Sequence, residues 1–287
     1  MGKGLKGDFT SFSFKGIDSS DLGITRVSDG SRYTDDLLPT SQDKTAVIPG
    51  GDGTYYWGTN HTQKVFNIPI AFDNLSEEQY KRLRQVFNTK ELGELKFAET
   101  DYKYYMAKPT GIPQLKTVCF DGKDDKGNAT RIYKGEGTIQ FTAYYPYAKS
   151  VEKVVKAYDL TNTKEITLEN LGDLEADFYL ICSFSKGYEA QLLEGITISQ
   201  DGNTIGKLSF GNKIPDHNAS DAGIRVNSKT NLIEGYNVVG NVRTPTKRIY
   251  NKYITGGDFF KLPVGKFTLT LIGDVKWCQL EYNQIYY

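Results

Sequence analysis

Alternation of apolar and polar residues at a period of two recurs along almost the whole chain, and it constrains the fold more than any other feature. Phe66, Ile68, Ile70 and Phe72 alternate with Asn67, Pro69 and Ala71; Phe12 and Phe14 alternate with Ser11, Ser13 and Lys15; Ile139, Phe141 and Ala143 alternate with Gln140 and Thr142. The second half repeats the pattern in Phe178, Leu180, Cys182 and Phe184, in Phe267, Leu269 and Leu271, and in residues 196–199 and 204–210 on either side of Asp201-Gly202. Successive side chains of a strand point to opposite faces, so these runs read as half-buried antiparallel strands, and Asp-Gly between two of them reads as a hairpin turn. Composition agrees where it bears on this point. The chain has 12 Ala and 2 Met against 26 Thr, 20 Tyr and 15 Phe, which suits pleated surfaces and excludes an all-α protein.

One segment breaks the period. Ser76 with Gln79 three residues on forms a capping box, Glu77 and Glu78 oppose the positive end of a helix dipole, and Leu75 with Tyr80 suits a hydrophobic staple. Tyr80, Leu83 and Phe87, with Val86 beside them, make one apolar stripe opposite Lys81, Arg82 and Arg84, so a single amphipathic helix is expected to lie on a sheet and stop before Gly93. A further short strand is expected at Leu95 to Phe97. Residues 121–128 read as a hairpin tip.

At 287 residues the chain exceeds one typical domain, and each half is large enough to bury its own core. The polar, basic stretch 148–155 is the expected boundary. The fold class read from the residues is therefore mainly β, with two β-sandwich domains: residues 1–148, which carry the helix, and residues 149–287.

Charge and motifs narrow the functions. With 35 basic and 35 acidic residues the formal charge is zero, so no global field draws in nucleic acid or anionic lipid, and no sequence-specific nucleic-acid partner is expected. No run approaches about 18 apolar residues, so no membrane insertion is expected. The start MGKGLKGDFTSF has no apolar signal-peptide region, and Lys6 breaks the myristoylation pattern. Cys119, Cys182 and Cys278 are few, odd in number and scattered, which reads as reduced thiols of a cytosolic product. Gly2, Gly4 and Gly7 spell a dinucleotide fingerprint with no strand ahead of it. Asp121, Asp124 and Asp125 resemble a calcium loop, but Lys123 stands at the third ligand position and no Glu closes the loop. His61 and His217 are isolated from each other and from cysteine. Neither a nucleophile elbow nor a P-loop is present, so no catalytic residue, metal site or cofactor is expected.

What stands out instead is aromatic. Tyr55, Tyr56 and Trp57; Tyr102, Tyr104 and Tyr105; Tyr144, Tyr145 and Tyr147; and Trp277, Tyr282, Tyr286 and Tyr287 form four clusters. Adjacent aromatics in a strand cannot all face inward, so some lie on an outer face where a partner, a subunit or a sugar, covers them. Residues 31–62 read as a long loop sparse in apolar groups, a length that is usually functional or an arm. Pro69 cannot donate to a ladder, so its strand is expected at a sheet edge or with the Pro position facing away from a neighbour.

Several stretches together resemble the distal tail protein (Dit) family of siphophages, the hub of the tail tip or baseplate. They are IPGGDG at 48–53, VFNIPIAF at 65–72, ELGELKFAE at 91–99, YKYYMA at 102–107 and GTIQFTAYYPYA at 137–148. In the second half they are NLGDLEADFYL at 170–180, GIRVNSKTNLI at 223–233 and GGDFFKLPVGKFTLTL at 256–271. The resemblance implies a ring-forming N-terminal domain, a homo-oligomer of six copies, and a galectin-like C-terminal domain. It implies a structural role joining the tail-tube protein to a tail-associated, tail-spike or receptor-binding protein at the tip of the virion tail, in a chain made in the bacterial host cytoplasm. A carbohydrate-binding module that aids attachment to the host cell wall is the alternative, and a hydrolase has no motif behind it. With a ring in view, the excursion, the Pro69 strand and the outward aromatics place the candidate ring interface on Pro49, Gly50, Gly51, Tyr55, Tyr56, Trp57 and Pro69.

Overall fold

The computed structural model describes residues 11–27, 39–50, 52–110, 114–123, 127–160, 164–183, 193–214, 223–239, 242–273 and 275–287. Gly2, Gly4, Lys6, Gly7, Gly51, Asp124, Asp125 and His217 lie outside them. The chain is mainly β, as expected, and divides into two compact units, Met1–Val151 with Tyr287 and Glu152–Tyr286.

The first unit holds β1 (Phe12–Phe14), β2 (Ile17–Asp18), β3 (Ile24–Arg26), β4 (Thr40–Val47), β5 (Thr54–Ser76), helix α1 (Glu77–Phe87), β6 (Gly93–Phe97), β7 (Lys103–Pro109), β8 (Gln114–Lys123), β9 (Ala129–Ala143) and β10 (Ala148–Ser150). Seven strands run in the order β2-β1-β6-β7-β9-β5-β3, with β4 added to β5 and β8 to β9. These form one connected sheet rather than two separate ones, and ring distances show that it curls. β1 and β9 are three places apart, about 14 Å in a flat sheet, yet the Phe14 and Phe141 ring centroids are 5.1 Å apart. Phe66 of β5 and Phe97 of β6, also three places apart, meet at 5.5 Å. The curl turns the alternating apolar face inward, where Phe12, Phe14, Ile68, Ile70, Leu95, Ile139 and Phe141 are all buried. β1 departs from the half-buried expectation, because Ser11 and Ser13 are buried as well.

The helix forms where the capping box places it. The Ser76 N–H donates to Gln79 Oε1 at 2.8 Å, and the Gln79 N–H donates to Ser76 Oγ at 3.3 Å. Leu83 and Phe87 are its buried side chains, Phe87 lying against Phe12, Phe14 and Phe141, while the Tyr80 ring stacks on Tyr133 at 4.4 Å.

The second unit holds β11 (Val154–Asp159), β12 (Glu165–Asn170), β13 (Phe178–Ser183), β14 (Leu193–Gln200), β15 (Asn203–Ile214), β16 (Gly223–Asn227), β17 (Leu232–Val239), β18 (Val242–Ile249), β19 (Ile254–Gly257), β20 (Gly265–Gly273), β21 (Trp277–Tyr282) and β22 (Ile285–Tyr286). A six-stranded sheet runs β11-β21-β13-β16-β17-β18, and a five-stranded sheet runs β12-β20-β14-β15-β19. Leu180, Cys182, Ile224, Val226, Cys278 and Leu280 of the first sheet, and Ile196, Ile198, Leu269 and Leu271 of the second, supply the buried side chains at alternate positions. The Asp201-Gly202 turn joins β14 to β15 with both residues at positive φ, 51° and 80°, the conformation a tight two-residue hairpin demands.

Candidate interaction surface

The 31–62 excursion is not a loop over its described part. Residues 40–63 form a two-stranded antiparallel ribbon in which β4 pairs with the first half of β5, from Thr40 opposite Gln63 to Val47 opposite Thr54. The sparse apolar content that suggested a loop has another cause. Every residue of β4 is exposed, so neither strand here needs an inward apolar face. Trp57 and Gly58 together oppose Lys44, which makes a β-bulge, and Gly58 takes φ 118°, a backbone region where a side chain would be strained. Tyr56 Oη lies 2.6 Å from Thr59 Oγ1, and Thr59 in turn donates to Asp43 at 2.5 Å across the ribbon.

The aromatics of the ribbon face water. Tyr55, Tyr56 and Trp57 are 59%, 63% and 73% exposed, and Val47 and Ile48 beside the turn are exposed as well. Pro49 and Gly50 form the exposed turn, Gly50 with φ 82°. Among the described residues Tyr55 and Trp57 have no ring, cation or side-chain hydrogen-bond partner. The tyrosines nearer the sheet differ. Lys108 lies over Tyr144 at 5.1 Å, Lys149 over Tyr145 at 5.6 Å and Lys96 over Tyr104 at 5.7 Å, so their ring faces already hold intramolecular cations. Burial, with the Glu94 charge second, also raises the Tyr104 phenol pKa.

Pro69 is not on an outermost strand and meets the other arm of the expectation, with its backbone groups turned away from β9. Its strand lies between β9 and β3, and Pro69 is opposite Thr138 of β9. The Pro69 carbonyl accepts from the Val27 N–H at 3.0 Å, on the β3 side. In an antiparallel strand a residue's N and C=O point the same way, so the missing donor faces that side as well and no β9 bond is lost. Pro69 is half-buried and far along β5 from the ribbon aromatics, and the geometry does not gather it with them.

Three further features carry no signal in the sequence. Lys64, where β5 leaves the ribbon, is only 3% exposed; its Nζ lies 5.2 Å from the Tyr105 ring centroid and 3.4 Å from Tyr105 Oη. His61, three residues earlier in β5, has a buried Nδ1 without a hydrogen-bond partner among the described residues and an edge contact to Tyr147 at 6.0 Å. β8 runs along β9 as an outlying strand with Val118 and Phe120 exposed, a second apolar strip on the same unit. Among the described residues no helix is long and apolar enough to cross a membrane.

Residues 17–143 match the family model described as a phage tail protein RIFT-related domain, a span that includes the ribbon and most strands of the curled sheet. The chain is similar in structure to the Dit protein of phage SPP1, described as a paradigm of the hub adsorption apparatus in phages that infect Gram-positive bacteria. The TM-score is 0.63 at 9% identity, over 98% of this chain and 100% of that one. Two structures of the phage p2 baseplate in its activated conformation, with Ca and with Sr, give TM-scores of 0.38 and 0.41 at 10% identity. They cover 93% and 96% of this chain and 92% and 98% of theirs, and the fold likeness rests on SPP1 Dit. No curated protein sequence matches significantly. The resemblance to siphophage distal tail and baseplate hub proteins drawn from the sequence is borne out.

Proposed function

We propose that this chain is a structural distal tail protein that closes into a hexameric ring and joins the phage tail tube to the host-adsorption apparatus. In this reading residues 1–148 are the ring-forming domain and residues 149–287 a galectin-like domain that docks a tail-associated, tail-spike or receptor-binding protein. The chain works at the tail tip of the virion after synthesis in the host cytoplasm, and no reaction is assigned to it.

The observation that carries the reading is the ribbon. A two-stranded ribbon with water on both faces is marginal by itself, and three adjacent aromatics at its bulge add exposed apolar surface. Pairing each copy's ribbon with the next copy around a closed rotation would cover that surface once per subunit and leave no open end. Pro49, Gly50, Tyr55, Tyr56 and Trp57 belong to this interface; Gly51 and Pro69 join it on the sequence argument alone. The carbohydrate-module alternative has less to support it. On the outer face of the six-stranded sheet the Tyr179 ring is already occupied by Arg225 at 4.2 Å and Lys153 at 5.4 Å, so it offers no open platform for a sugar.

Native mass spectrometry and negative-stain imaging of the purified full chain test the proposal. A particle of six times 32.2 kDa with a central hole is expected. A chain that stays monomeric both alone and with tail-tube protein would overturn it.

A further inference from the structure

Cys182 of β13 and Cys278 of β21 are direct cross-strand partners in the six-stranded sheet. Both are fully buried and both are free thiols. The ladder fixes which kind of pair they make. The Ser228 N–H donates to the Phe178 carbonyl at 3.0 Å, so Phe178 directs its backbone groups toward β16 and away from β21. Alternate residues of a strand point the same way, hence Cys182, four residues on, does likewise. The Tyr236 hydroxyl confirms it by donating to the Cys182 carbonyl at 3.3 Å, from a strand beyond β16. Tyr236 reaches that carbonyl across Gly223, where an added Cβ would stand 2.5 Å from its Oη. Cys182 and Cys278 are therefore a non-hydrogen-bonded pair, the closer of the two antiparallel arrangements, with Cα atoms about 4.5 Å apart, just inside the range a disulfide spans.

From this register we infer that Cys182 and Cys278 are an oxidation site at which a peroxide closes a cross-strand disulfide inside the C-terminal unit. Cys278 lies one strand in from the edge strand β11, opposite Tyr158, and is the sulfur reached first when β11 frays. Its thiol takes one oxygen from hydrogen peroxide, giving a sulfenic acid and one water. Cys182 Sγ then attacks that sulfur, the S–S bond forms, the S–O bond breaks, and the hydroxyl leaves with the Cys182 proton as a second water. Two thiols are oxidised and one peroxide is reduced. Burial pushes the Cys278 thiol up to about 12, and burial with the Cys278 charge raises Cys182 as well, so neither sulfur is ionised at neutral pH and closure follows strand opening rather than surface exposure. The bond would tie β13 to β21 across nearly the whole second unit, and a chain that leaves a reducing cytosol for an oxidising exterior would gain it.

The test uses the full chain carrying Cys119→Ser, because Cys119 is exposed and would react on its own. After millimolar peroxide, unfolding in guanidinium with an alkylating agent is expected to give a mass lighter by two hydrogens with no alkylation, a linked Cys182–Cys278 peptide, and a melting midpoint higher by about 3 °C or more. Reduction should restore two alkylations, and the Cys119→Ser/Cys182→Ser variant should show neither the link nor the rise. Two alkylated thiols after treatment, sulfinic acids without a link, or links only between molecules would each overturn the inference.

Discussion

Replacing Tyr55, Tyr56 and Trp57 together by Ser separates an interface from a core, because the two roles predict opposite effects. These residues are 59%, 63% and 73% exposed in a single copy. An aromatic side chain offers about 150–250 Å² for burial, so roughly 400 Å² across the three is still in water and open to a partner. At ~25 cal/mol per Å² that surface corresponds to about 10 kcal/mol per interface as an upper bound, before the costs of association are subtracted. Truncating central aromatic anchors typically costs about 2–4 kcal/mol each, so the triple variant should weaken each contact by at least ~4 kcal/mol, close to a thousandfold. Folding should barely notice, since exposed substitutions stay within about 0.5 kcal/mol apiece. The expected result by native mass spectrometry at micromolar concentration is assembled wild type and monomeric variant, with matching β-sheet dichroism and midpoints within a few degrees. Intact rings from the variant would refute the placement of the interface. A large loss of midpoint in the monomer would show that the aromatics serve the fold instead.

Three further outcomes are expected. Phe141 has no exposed surface and touches Phe12, Phe14 and Phe87, so Phe141→Ala should cost about 3–5 kcal/mol, read as a lower urea midpoint for the N-terminal unit alone. Residues 150–287 expressed alone should be monomeric and melt cooperatively with a native near-UV spectrum; a molten fragment would remove the proposed boundary. Burial works against ionisation of Glu281, but the hydrogen bond and charge of Lys153, the Gln279 amide and the Arg225 charge outweigh it and hold its carboxyl below the ordinary 4.5. A depressed carboxyl adds stability that is present above its unfolded pKa and lost as pH falls through the folded one. Glu281→Gln should therefore cost roughly 0.5–1 kcal/mol at pH 7 and flatten the acid limb of a pH–stability curve.

The elements most legible in the sequence were those whose chemistry is local. The Ser76–Gln79 box needs only four residues, and the Asp201-Gly202 turn needs two, so both could be placed from sequence alone. The inward faces of β5 and β9 were legible for a related reason, since alternation there reports burial directly. What the sequence hid is set by distant partners. Whether Pro69 lies at an edge depends on where β3 ends, and β3 is only three residues long. The burial of Lys64 depends on Tyr105 arriving from β7, and the closeness of Cys182 to Cys278 depends on a register shared by strands far apart in the chain. Residues 40–47 read as loop in the sequence because a strand with no covered face has no apolar period to display.

The proposed ring accounts for a pattern that a self-contained sheet would avoid. A monomeric sheet protein keeps its apolar side chains on one face and its edges short, charged or covered. Here Tyr55 and Tyr56 are consecutive strand residues on opposite faces, both more than half exposed, next to Trp57 in a bulge. No packing of the same copy onto one side of the ribbon could bury both tyrosines, whereas lodging the ribbon between two surfaces could. In a head-to-tail ring each copy supplies one ribbon and receives one, so a ribbon with apolar groups on both faces suits closed heterologous assembly better than a two-fold dimer, in which one patch meets itself. The same argument separates the ribbon from Tyr144 and Tyr145, whose faces Lys108 and Lys149 already cover within the chain. Exposure alone would group all five aromatics as one surface. The cations over their ring faces divide them, and in the proposed ring only those of the ribbon are left for a neighbouring copy.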